Sequence, residues 1–497
     1  MSPATRFALI FAAQFAAFGV MMPFLPPLLL ARGLTPADLG TVLAAGSALK
    51  LLAGPLGGRV ADRLGDPRLV LICCTSAAAV FAAGFGLAVG FWALLLVNLA
   101  LAAALAPTTA LADAMALRAA REPPGFDYGR VRAAGSVSYI LVAVAAGALV
   151  GVLGAGSAAW LIAAMLGLGA AAAFLLPRAD GSGKGRSSGF RAALSLPGFK
   201  RLMLLAALMQ GSHAAYYAFG SIHWQAAGLS AGVIGLLWGW GVVAEVALFA
   251  WGRRFADWLG VRGLILAAAG AGLLRWSAMA VTSDLPALIL LQSLHALTFG
   301  AMHLAAIRLI QANVPAHMGG TAQTLLGAAV GAMTTLLTLA CGPGYAAFGA
   351  GIFWAMGWVP CKAVWPRMAL AKPRGNAAGL RRKFAMALCS HLYAAQSSLG
   401  RKWLMNCKLR SLALTVGFLT MACAAQAQMP AGCAQHQARF PALLGKAPEE
   451  VRAALQAMPG ITTVRMGGPN TPMTRDYRID RASVLIENGV AAQITCG

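Results

Sequence analysis

Charge is what this 497-residue chain has least of: 11% of its residues are charged, against about 25% in ordinary water-soluble proteins. Acidic residues are scarcest, 15 beside 39 Lys and Arg. With 59% hydrophobic residues the chain needs an apolar solvent. It also lacks a catalytic triad, a phosphate-binding glycine loop and metal-ligand spacing, so no enzyme, metal or cofactor is expected. The net charge of +24 is not interleaved with stacking aromatics, so no nucleic acid partner is expected. Nor do the apolar runs alternate with polar residues as barrel strands would, which leaves helices to cross the bilayer.

What is there is a series of long apolar runs, such as Phe7 to Leu30, Leu69 to Gly90 and Leu285 to Ile307, each near the ~20 residues a spanning helix needs. Twelve helices are predicted, at 7–30, 36–57, 69–90, 91–117, 133–156, 157–176, 200–226, 231–252, 261–283, 285–311, 319–341 and 343–365. Basic residues gather in alternate loops: Arg59, Arg63 and Arg68; Arg118, Arg121, Arg130 and Arg132; Arg178, Lys184, Arg186 and Arg191; Arg253, Arg254 and Arg262. By the positive-inside rule those loops and the amino terminus are cytoplasmic. The expected setting is a bacterial inner membrane and the expected state a monomer. Cys73, Cys74, Cys341 and Cys361 read as small packing residues.

Residues 177–199, rich in Gly, Ser, Lys and Arg, divide the bundle into halves at 1–176 and 200–365. At a constant offset of 195 residues Gly33 aligns with Gly228, Thr35 with Ser230, Gly40 with Gly235, and Arg59, Ala61, Asp62 and Gly65 with Arg254, Ala256, Asp257 and Gly260. A duplicated six-helix unit implies two pseudo-symmetric bundles around a midplane site, rocking in alternating access. The fold class is therefore an all-α membrane protein of two six-helix pseudo-repeats, followed by a small α+β domain.

The stretch from Gly58 to Gly65, with Asp62 and Arg63, resembles the gating-loop signature of the major facilitator superfamily, departing from it at Asp66 and Pro67. Tyr128-Gly129-Arg130-Val131-Arg132 with Gly135-Ser136, the run His213 to Phe219 and the run Gln292 to Ala305 resemble the phenylpropionate-permease branch. That resemblance implies a small aromatic carboxylate such as 3-phenylpropionate as substrate, with a proton-coupled sugar or nucleoside carrier as the alternative.

Polar side chains persist in a bilayer where they face a cavity or a partner. Gln210, His213, Tyr217, Ser221 and Trp224 are spaced 3, 4, 4 and 3 apart on helix 7, and at about 100° per residue they share a face. Gln292, His295, Phe299 and His303 do the same on helix 10. These stripes are the candidate substrate lining. Of ten acidic residues before 366, only Asp113 and Glu245 fall inside apolar runs. Glu245 is the candidate proton carrier, with Arg275, His295 and His303 as charge partners; by helical rise Glu245 pairs in depth with His303 and Arg275 with His295. An anionic substrate also needs a cation, for which Arg275 and Arg132 are candidates. Lys50, opposite Glu245 in the repeat, is assigned no role.

Beyond a basic, irregular stretch at 366–404, residues 405–428 have the charged start, apolar core and small-residue end of a secretory signal, or form a thirteenth span. A second reading frame joined to the first would look the same. Residues 429–497 hold an even cysteine pair, Cys433 and Cys496, suited to an oxidising periplasm. Thr474 to Arg481 and the closing Cys496-Gly497 resemble bacterial serine-protease inhibitors related to potato inhibitor I. That resemblance implies a reactive loop with Thr474, Arg475 and Asp476, cut after Arg475, braced by Arg481 and directed at a trypsin-like protease.

Overall fold

The computed structural model describes residues 1–121, 125–177, 190–315, 318–360, 433–468, 471, 481–487 and 489–496. They fall into a helical unit and a small C-terminal unit, each described by itself. The helical unit runs α1 (Pro3–Ala31), α2 (Pro36–Leu64), α3 (Pro67–Gly84), α4 (Phe91–Leu105), α5 (Thr108–Arg121), α6 (Tyr128–Leu153) and α7 (Ser157–Phe174). After a short α8 (Phe190–Ser195) come α9 (Phe199–Gly211), α10 (Ala214–Ala226), α11 (Ala231–Trp251), α12 (Arg253–Met279), α13 (Leu285–Ser293), a π-helical segment (Ala296–Ala301), α14 (Met302–Asn313) and α15 (Gly319–Phe348).

Ten helices among the described residues are long and apolar enough to cross a membrane. The twelve predicted from hydrophobic runs differ from this at two places. The predicted helix 7 is interrupted at Ser212 and His213, leaving α9 and α10 with 13 residues each. The stretch Gly319–Pro360 counts once at 42 residues, although Gly349–Gly351 interrupts it with a 3-10 turn at a φ of 52°. That break lies after Phe348, not between 341 and 343, because the helix runs on through Pro343. The predicted 36–57 also extends: α2 runs to Leu64, so Gly58, Asp62 and Arg63 occupy its last turns and Gly65 ends it in the left-handed region at a φ of 66°.

The sequence offset is written into the backbone. Gly33 and Gly228 share a positive φ (97° and 90°), as do Gly65 and Gly260 (66° and 61°). The side chains of Thr35 and Ser230 each cap the helix that follows, Thr35 in a reciprocal capping box with Asp38. The unexpected Asp66-Pro67-Arg68 also has a structural use. Asp66 caps α3 and Pro67 opens its first turn, while Arg68 donates to the terminal carbonyls of Ala173 and Phe174 on α7, where the helix dipole favours a cation.

The halves meet where α2 packs on α15 and α6 on α11. Both contacts are backbone-tight: a Cβ added to Gly40 would stand 2.6 Å from the Cα of Gly342, and one added to Gly235 would stand 2.2 Å from the carbonyl oxygen of Ala143. Gly147 lies against Ala231 at 2.5 Å by the same measure. The offset relates Gly40 to Gly235 and Gly147 to Gly342, so one crossing is the pseudo-symmetric image of the other. They lie at the start of α2 and α11 and the end of α6 and α15. Toward the opposite ends, Gly319, Gly320 and Gly327 face open space. The backbone-tight crossings between the halves thus lie toward one end of the helical unit.

In the C-terminal unit a 3-10 segment (Cys433–Leu443) and α16 (Pro448–Gln456) accompany a sheet of order β1 (Thr463–Gly467), β2 (Arg481–Glu487) and β3 (Val490–Cys496). β1 is parallel to β2 and β2 antiparallel to β3. Phe440, Val451, Leu455, Ile461, Ala482 and Val484 form its core, and a disulfide joins Cys433 to Cys496. Arg481 is buried at the start of β2. Thr474, Arg475 and Asp476, the signal-like 405–428 and the basic stretch 366–404 lie outside the described residues.

Candidate transport site

Arg275, on α12, has none of its surface exposed. An isolated guanidinium there would be costly, so its surroundings must supply partners. Its Nη1 donates to Thr298 Oγ1 at 3.1 Å and lies 3.1 Å from His295 Nδ1. Its Nη2 donates to Gln292 Oε1. The rings of Tyr216 and Trp276 flank it, with their centroids 4.7 and 4.6 Å from the guanidinium carbon.

Those contacts assign protons. An arginine only donates, so His295 Nδ1 must accept and its N–H must sit on Nε2. That nitrogen lies 3.5 Å from Glu245 Oε2 on α11. His213 Nδ1 is 3.1 Å from the carbonyl of Gln210, which only accepts, so its proton is on Nδ1. Its Nε2 then accepts from the Thr298 hydroxyl at 3.1 Å. Gln292 completes the cluster through Nε2, donating to Tyr216 Oη at 2.8 Å and to the carbonyl of Leu237 at 3.1 Å. Glu245, His295 and Arg275 thus form one chain from an acid to a buried cation.

Two irregular helices hold this cluster. His213 stands in the break between α9 and α10, and Thr298 lies in the π-helical segment. A break frees backbone groups and re-aims side chains, and single π turns recur at functional sites. Trp276 Nε1 donates to Ser212 Oγ at 3.2 Å and Trp238 Nε1 to Ser221 Oγ at 2.9 Å, which orients the indoles around Tyr216, itself stacked on Trp238 at 4.4 Å.

The predicted stripes divide into two layers. His213, Trp224, Gln292 and His295 are sealed inside, Trp224 edge-on to Tyr216 at 6.0 Å. Gln210, Tyr217 and Phe299 are half-buried, and His303 is exposed. Phe299 stacks between His295 at 5.5 Å and His303 at 6.3 Å. Glu245, 18% exposed in its side chain, makes its short contact with His295; His303, its expected depth partner, packs on Phe299 and Phe249. Arg132, the other candidate cation, is engaged with Asp113 at 3.3 Å and lies over the Phe15 ring at 4.1 Å. The gating residues Asp62 and Arg63 are exposed. The sequence reading passed over Tyr216, Thr298, Trp238 and Trp276, although Tyr216 stands next to Tyr217 in its quoted run.

Residues 5–356 match the MFS_1 like family. The "Probable 3-phenylpropionic acid transporter" of Escherichia coli (strain K12) is 35% identical over 374 residues, which are 72% of this chain and 96% of that protein. The "Maltose permease" of Geobacillus stearothermophilus is 27% identical over 285 residues, 56% of this chain and 72% of that one. Among solved structures, that of the nucleoside transporter NupG superposes with a TM-score of 0.66 at 15% identity, over 75% of this chain and 100% of the other, a likeness of fold. With the family match over most of its length, a membrane-spanning bundle and a polar cluster buried inside it, this chain belongs to the MFS_1 like family of membrane transporters.

Proposed function

We propose that this transporter carries a small aromatic carboxylate together with a proton across a bacterial inner membrane. The observation that carries the reading is the Glu245–His295–Arg275 chain. With Glu245 protonated, the cluster keeps the net positive charge of Arg275 and attracts an anion. Once the proton leaves, the Glu245 carboxylate balances Arg275 and the attraction falls. Coupling of this kind is reciprocal, so a bound anion also favours the proton. Half-buried Tyr217 and Phe299 offer flat apolar surfaces for a ring, and the 3-phenylpropionic acid transporter named above supports the substrate class.

Counting α9 with α10 as one broken crossing, and 319–360 as two, gives twelve crossings with a cytoplasmic amino terminus by the positive-inside rule. The end that carries the tight crossings is then periplasmic, which supports an inward-open reading of the conformation. Cells expressing the full chain are expected to accumulate labelled 3-phenylpropionate, and a protonophore to abolish the accumulation. Uptake of a neutral sugar or nucleoside in its place would establish the alternative substrate class.

For the C-terminal unit we propose a periplasmic serine-protease inhibitor. Residues 468–480, which include Arg475, connect two parallel strands, and the disulfide suits an oxidising compartment. Spheroplasts bearing the full chain are expected to titrate trypsin, and Arg475→Ala spheroplasts to leave it active; equal inhibition by both would reject the assignment.

A further inference from the structure

An anionic substrate needs a cation it can reach. Both cations suggested by the sequence are already engaged: Arg275 is sealed behind Tyr216 and Trp276 and holds three side chains, and Arg132 is paired with Asp113. Lys50 is different. It is the middle residue of α2, which spans Pro36–Leu64, and lies about 13 Å along the helix from Arg59, near the cytoplasmic end. That is farther than a four-carbon stem reaches, so snorkelling to the headgroups does not account for it.

Its direction around the helix is also informative. Leu52 and Leu56, 65% and 55% exposed, mark the outer face of α2. Lys50 stands roughly 160° around the helix from Leu52, on the side where Gly46 meets Asn98 and Gly57 meets Pro107. Its side chain nevertheless remains exposed. A cation at mid-span that faces neighbouring helices and is still accessible is placed to meet a solute. Lys50 has no carboxylate partner among the described residues, whereas Arg132, Arg308 and His295 each have one. The tight α2–α15 crossing at Gly40 and Gly342 lies about 15 Å from Lys50 toward the start of α2.

We propose that Lys50 is the residue that anchors the substrate's carboxylate, on the half of the molecule opposite Glu245. The repeat places the two at equivalent positions of α2 and α11, so an anion bound at Lys50 and a proton bound at Glu245 load the two halves together. Arg275 then acts on the proton side of the cycle and not as the anion's direct partner. This inference rests on the anionic substrate of the proposed function.

The test uses the full-length protein in proteoliposomes and labelled 3-phenylpropionate, with Lys50→Gln, Lys50→Met and Lys50→Arg compared at equal reconstituted amounts and matched melting temperatures. Loss of one charge-assisted contact raises KM by roughly 10- to 100-fold in both neutral variants, and Lys50→Arg stays within a few-fold of wild type. The neutral analogue 3-phenylpropionamide competes equally well against wild type and Lys50→Gln, since it never used the charge. A Lys50→Gln or Lys50→Met carrier with the wild-type KM overturns the proposal, and so does parallel weakening of acid and amide, which would mean a deformed pocket. Wild-type liposomes that take up neutral sugar but no aromatic carboxylate would remove the functional reading itself, an outcome separable from either of these.

Discussion

Thr298 is the joint of the buried cluster: its oxygen accepts from Arg275 and its hydroxyl donates to His213. Thr298→Val keeps the shape and removes both bonds, stranding a buried guanidinium N–H and an imidazole nitrogen. The expected cost is about 1–3 kcal/mol for each group left unsatisfied, read as a lower melting temperature in detergent, whereas an unchanged melt would mean the network adds nothing to stability. At this scale the sequence was partly legible. Glu245, Arg275 and His295 stood out because ionisable groups inside apolar runs are rare. His295 and His303 are both expected charge partners of Glu245; depth by helical rise favours His303, whereas the short contact is to His295, because rise along a helix locates Cα atoms only. Tyr216 was missed because the face count treated helix 7 as continuous across Ser212 and His213, where it is broken.

Among the elements, the paired glycine crossings set how closely the halves approach. Any side chain at Gly235 must displace the backbone of α6, and Gly147 faces the same restriction against α11. Gly235→Leu is therefore expected to cost that crossing about 1–3 kcal/mol and to shift the carrier toward opening there. Net uptake should fall while binding of 3-phenylpropionate to the purified protein persists; full wild-type turnover would show that the crossing does not have to close so tightly. The repeat was legible from the aligned glycines and caps, which recur because a positive φ and an N-cap each restrict residue type. Which glycines touch across the halves was not, since that depends on how α2 meets α15 and α6 meets α11. The π-helical segment left no trace in hydrophobic periodicity either: Gln292, His295 and Phe299 keep helical spacing through it.

For the whole molecule, scarcity of charge and long apolar runs were enough to place the chain in a membrane, and alternating basic loops to propose its orientation. Span ends were less legible, because helices continue past the apolar core into polar turns, as α2 does through Arg59, Asp62 and Arg63. The central claim, that a proton travels with the substrate by way of Glu245, is tested most directly in weakly buffered proteoliposomes of the full chain. Adding 3-phenylpropionate outside wild-type vesicles should raise the external pH beyond the passive rise in protein-free vesicles. With Glu245→Gln that excess should vanish while exchange of labelled for unlabelled substrate continues. An equal pH rise in both proteins would contradict the account.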